Sequence, residues 1–175
     1  MVDDARSPDH AGDGDRAGLT WGLKRSFVAY VARLRDGACG AKDGGSVVDS
    51  SYFHFEHADG SGYDPATGKG VLKFRGDVRL VGHAGLLYVM LLDPWLEFTG
   101  DGAVLSVVDI EHWPDRSHRL PLATLDVVEP AVGAGGRTWT GMPAYLTSEG
   151  QEVFNGQYVV GERLDPVSVV VPEDR

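Results

Sequence analysis

Tyr30 is the first residue whose setting invites chemistry. At about 100° per residue, Leu23, Phe27, Tyr30, Val31 and Leu34 share one helical face, which puts the Tyr30 phenol within an apolar stripe. The Ser26 hydroxyl, one turn earlier, falls on the edge of that stripe. Arg33 lies beside Ser26 on the rim, where its guanidinium can meet an anionic group bound over the stripe. Taken alone, a tyrosine in such a stripe is most often a core aromatic with a satisfied hydroxyl. The second candidate is His83, in the segment VGHAG at 81–85. Its flanking glycines let a ligand or another side chain come close to the backbone. A turn histidine between two strands is the plainer reading of that pentapeptide.

Other constellations fare worse. His54 and His57 are three apart on an expected strand and so face opposite sides, which does not suit one metal ion. There is no G-x-S-x-G elbow, phosphate-binding loop or dinucleotide fingerprint, so common hydrolase and nucleotide chemistries lose support. Glu149 with Glu152, Asp126 with Glu129, and Lys24 with Arg25 read as solvated surface charge.

The elements that must carry Tyr30 and His83 come from pattern and punctuation. Thr20 is placed to cap a helix running to about Leu34, with Gly37 to stop it. Residues 51–57 alternate like a strand, and so do 71–81, with a bulge expected at Gly76. Short apolar runs at 85–92, 95–99, 103–110 and 122–128 continue the series. Thr147 or Ser148 can cap a short helix through Phe154, and 158–160 and 167–171 read as closing strands. Twenty-four glycines and nine prolines are more than a helical bundle needs. The expected fold is mainly β: a β-sandwich or partly closed barrel of short antiparallel strands, with one N-terminal helix and a short C-terminal helix. Residues 1–18, rich in Asp, Gly, Ala and Arg, read as a flexible acidic leader, and 19–175 as a single domain.

Charge and cysteine content narrow the partners. A formal charge of -10 and a pI near 4.9 argue against a nucleic-acid surface, which needs a basic stripe. Cys39 is the one cysteine, so no internal disulfide holds the fold, and it reads as an ordinary loop thiol. No run approaches the roughly 20 apolar residues of a membrane-spanning helix. The first residues lack the basic and then apolar regions of a secretory signal.

Four blocks in order complete the pattern: WGLKRSFVAY at 21–30, FRGDVRLVGHAG at 74–85, LTSEGQEVFNGQY at 146–158 and GERLDP at 161–166. Together they resemble the HtaA domain, a heme-binding module of actinobacterial heme-uptake systems, over roughly residues 19–171. The resemblance implies ferric heme b as cofactor, Tyr30 as its axial ligand and His83 as the hydrogen-bond partner of that phenol. It also implies Ser26 as a heme-binding residue; Arg33, from its place on the rim, and Phe154, in the third block, complete the expected heme-binding set. A tyrosinate is a hard anionic ligand suited to ferric iron, and because an ordinary phenol titrates near 10, a neighbouring donor helps it ionise near neutral pH. The implied role is heme capture, transport or transfer with a heme donor or acceptor protein. A heme-dependent enzyme of peroxidase or oxygenase type, with His54, His112 or His118 as distal groups, and an intracellular heme carrier are the alternatives on the same scaffold. The resemblance implies secretion or the cell surface; a native start at Met1 implies the cytoplasm.

Overall fold

The computed structural model describes residues 16–49 and 51–173. Most of the expected leader lies outside the described residues, and Gly18 already belongs to the first strand. In chain order the elements are β1 (Gly18–Trp21), α1 (Arg25–Arg33), β2 (Ala38–Lys42), β3 (Gly45–Val48), β4 (Tyr52–Asp59), β5 (Tyr63–Asp64), β6 (Lys69–Arg75) and β7 (Asp77–Gly82). They continue with β8 (Leu87–Leu92), β9 (Trp95–Phe98), β10 (Ala103–Val108), β11 (Arg119–Leu125), β12 (Ala131–Gly133), β13 (Gly136–Leu146) and β14 (Arg163–Val171). Single 3-10 segments occupy His83–Gly85, Ile110–His112 and Glu149–Phe154.

Eleven strands form one antiparallel sheet whose path β4-β1-β14-β13-β11-β10-β9-β6 returns to β4, making a ring. The ring is irregular: register shifts interrupt β4–β6, β10–β11 and β13–β14. The expected mainly β fold of short antiparallel strands is therefore what forms, its large sheet closing as an irregular ring rather than a true barrel. The reason is visible along each strand, where alternate residues turn inward. Trp21, Phe53, Phe55, Phe74 and Trp139 are all buried to within 1%. A second sheet, β2-β7-β8, extends from the ring and shares its core through Val78, Leu80, Val89 and Leu91.

The junction between the sheets corrects one expectation. Residues 71–81 do not form one bulged strand; β6 belongs to the ring and β7 to the small sheet. Gly76 marks the crossing, where its N–H donates to Asp93 Oδ1 at 3.0 Å and its carbonyl accepts the Asp93 N–H at 2.9 Å. The β8–β9 step crosses at the same point, so two strands pass together from one sheet to the other.

Two further expectations change. Thr20 does not cap a helix: it lies in β1, paired with His54 and Ser168 on either side. Sheet pairing on both edges, with Leu19 and Trp21 turned inward, overrides the helical reading there. The helix begins at Arg25, after Leu23 adopts φ 59°, and its free Arg25 N–H donates to Asp165 Oδ1 at 3.3 Å. At the other end, residues 158–160 do not form a strand but a loop. The short helix before them does form, with Thr147 Oγ1 accepting the Gly150 N–H at 2.8 Å. Cys39 sits on the exposed strand β2 rather than in a loop.

Candidate functional site

The helix α1 presents two different faces. Phe27 and Val31 are buried, whereas Ser26, Tyr30 and Arg33 are exposed along the opposite edge. Tyr30 keeps 39% of its surface, so it stands at the rim of the apolar stripe rather than within it. The packing explains this: the helix buries Phe27 and Val31, and Tyr30, about 60° round from Phe27 on the side away from Val31, falls at the edge of that face.

His83 reaches Tyr30 because β7 ends unusually close to the helix. A Cβ on Gly82 would stand 2.6 Å from Leu34 Cδ1, and one on Gly37 would stand 1.9 Å from the Val31 carbonyl. Glycine at both places lets the strand end and the helix end pack together. The chain then turns left-handed, with φ 49° at His83 and 55° at Ala84. Alanine rarely adopts this conformation, and such residues cost about 1–3 kcal/mol each and persist only where their surroundings hold them. Asp36, just past the helix, does so: Oδ1 accepts the His83 N–H at 3.2 Å and Oδ2 the Ala84 N–H at 2.6 Å. These contacts, Ala84's above all, lower the Asp36 carboxyl below its ordinary value. A Leu86 N–H to His83 carbonyl bond closes the turn, and Asn155 Nδ2 donates to the Leu86 carbonyl at 3.2 Å.

The result is a 2.6 Å contact between Tyr30 Oη and His83 Nε2, with ring centroids 5.9 Å apart. It holds either with the phenol donating to Nε2 or with Nε2–H donating to a phenolate. The second assignment leaves an anionic oxygen with lone pairs free for a metal. A groove of about 270 Å³ opens beside the pair, lined by Phe27, His83, Leu86, Val89, Val153 and Phe154 among others. Phe154 is buried and packs edge-on against Phe27 at 5.1 Å and Tyr158 at 5.3 Å, so it forms a wall of the groove. Burial raises the Tyr158 phenol above its ordinary value. Leu86, 81% exposed, stands at the rim.

The remaining candidates divide plainly. Lys24 is engaged by Glu162 at 3.3 Å, and the Arg25 guanidinium lies over the Tyr52 ring at 5.1 Å. Arg33 has no ionic partner among the described residues. His54 is buried in β4 with Nδ1 3.0 Å from Thr20 Oγ1. His112 and His118 stack on each other at 3.8 Å, paired with Asp109 and Asp115. None of these three lines the groove. Among the described residues no cluster of three or more His, Cys, Asp or Glu side chains is arranged for a metal, and no helix is long and apolar enough to cross a membrane.

Sequence reasoning missed three groups at the site: Asp36, Asn155, and Tyr88, whose hydroxyl lies 2.9 Å from Arg79 Nη1. The dipeptide Asp36-Gly37 is a turn signal, but nothing local shows that its carboxylate reaches a turn 47 residues later.

The HtaA family model matches residues 16–170. Among solved structures, the N-terminal domain of HtaA from Corynebacterium glutamicum superposes with a TM-score of 0.68 at 23% identity, covering 90% of this chain and 99% of that one. The C-terminal domain of the same protein gives 0.67 at 22%, covering 88% and 95%. The heme binding protein HtaB from the same organism gives 0.59 at 18%, covering 87% and 90%. No curated protein matches the sequence. A domain model satisfied from the first described strand to the last, on a chain with the same fold as two HtaA domains, places this protein in the HtaA family.

Proposed function

We propose that this protein binds one ferric heme b through Tyr30 Oη, with His83 Nε2–H donating to the phenolate, and that it captures heme and passes it on. The observation that carries the reading is the 2.6 Å Tyr30–His83 contact at the exposed edge of an apolar groove. Family membership supports it, as does the heme binding named for HtaB.

The residues fit the group. A phenol held by imidazole is a hard oxygen donor, and ferric heme supplies the Lewis acid that favours its ionised form. Phe154 and Phe27 offer the macrocycle apolar contact, and Ser26 flanks the ligand one helical turn away. Pockets that enclose drug-sized ligands usually measure roughly 300–1,000 Å³. A groove of about 270 Å³ therefore leaves a porphyrin partly in solvent, where Arg33, without an ionic partner among the described residues, is available to a propionate. Partial exposure also suits handover to an acceptor protein. We read a carrier rather than an enzyme because the imidazole in the groove is already committed to Tyr30. The family resemblance adds a place outside the cell or at its surface.

Titration with hemin tests the reading. Wild type should give a saturable Soret change at one heme per chain, and Tyr30→Ala should lose it while keeping its fold by circular dichroism. A wild type without stoichiometric binding would remove the central claim.

A further inference from the structure

We propose that Asp36 is a positioning residue for the heme ligand: its carboxylate chelates two successive backbone N–H groups and thereby aims His83 at Tyr30. This role rests on the heme reading above. Three observations combine. First, His83 and Ala84 both lie in the left-handed region, and neither is glycine. Second, each Asp36 oxygen takes one of their N–H groups, at 3.2 and 2.6 Å. Third, Asp36 lies three residues past the end of the helix that carries Tyr30, with Gly37 N–H bonded to the Leu34 carbonyl at 3.2 Å.

The carboxylate thus joins the two elements that carry the two halves of the site. An ordinary surface aspartate would face water or a basic side chain. Asp36 has no cationic side-chain partner among the described ion pairs, and its partners are main-chain donors from a turn 47 and 48 residues away. Without it the His83–Ala84 turn can relax toward commoner backbone angles, which rotates the imidazole away from the phenol. Asp36 touches no heme in this account; it acts only through His83.

The test combines a heme readout with one on the heme-free protein. Hemin transfer to apomyoglobin should run roughly tenfold faster from Asp36→Ala than from wild type, the scale of one lost hydrogen bond at the ligand. His83→Ala should show a similar rise, and the double variant should be no faster than His83→Ala alone, because both changes remove the same interaction. Asp36→Asn, which keeps one oxygen acceptor, should fall between wild type and Asp36→Ala; it also carries the test if the alanine variant does not fold. In the heme-free protein, amide exchange at Ala84 should quicken in Asp36→Ala while the β14 amides stay protected. An unchanged transfer rate in a wild type that binds heme, or effects that multiply in the double variant, would overturn this role alone. A wild type that takes up no heme would sink the heme reading and this role with it, whatever the Ala84 amide shows.

Discussion

The ring and the small sheet solve opposite problems. Ring strands bury Trp21, Phe53, Phe55, Phe74 and Trp139 almost completely. The β2-β7-β8 sheet turns Leu80, Val89 and Leu91 to the shared core and Met90 and Leu92 to a smaller cluster with Val108, leaves β2 largely exposed, and ends in a left-handed turn at His83 and Ala84. Three strands need a hydrophobic face to be stable, and this sheet packs that face on the core it shares with the ring. Strain and exposure are thereby placed where few packing contacts are lost, and the ring carries the stability. The site depends on the ring for its foundation, but the ring does not depend on the site.

The sharpest way to break this contrast is at Trp139, 1% exposed and packed against Phe98 at 5.3 Å and Tyr63 at 5.5 Å. Trp139→Ala should lower stability by about 3–5 kcal/mol through loss of buried surface and the cavity left behind. Urea unfolding measures this. Whatever remains folded should still bind hemin, because the Tyr30–His83 contact lies elsewhere; selective loss of binding before unfolding would contradict the division.

His83→Ala works in the other direction. Its side chain is exposed, so the midpoint of urea unfolding should move by no more than about 0.5 kcal/mol equivalent. Heme should nevertheless dissociate faster, and at a less acidic pH than from wild type, since the phenolate loses its donor. Absorption spectra across a pH series read both. A His83→Ala protein as stably loaded as wild type would make the 2.6 Å contact a bystander.

The smallest effects belong to the outer edge of α1. Arg33→Gln should weaken hemin affinity by roughly twofold to fivefold, in keeping with an exposed ion pair, and less so at high salt. Ser26→Ala should change it less still. Neither should shift the unfolding midpoint. A loss as large as that of Tyr30→Ala at either position would move the centre of the site along the helix.

What the chain determined by itself is local. Alternation at 51–57 and the apolar run at 103–110 mark β4 and β10, because a strand shows either polarity at period two or a short buried run. Helical spacing puts Ser26 one turn before Tyr30, and of the two residues expected to cap the short helix, Thr147 rather than Ser148 accepts a backbone N–H, that of Gly150. The glycine-flanked His83 signalled a turn, and the family blocks linked it to Tyr30. Partners far apart in sequence were decided only by tertiary structure. Thr20 joined a strand because β4 and β14 paired on both its sides, against its own helical setting. The strand β13 went unforeseen, since Gly141 and Pro143 read locally as breaks and are tolerated at its register shifts. Residues 158–160 have strand-like composition, yet Tyr158 packs on Phe27 and Phe154 instead of pairing. Asp36 is the clearest case. Its sequence neighbourhood shows a turn aspartate and no more, because the N–H groups it holds belong to a turn that only the packing of β7 against α1 brings within 3.2 Å.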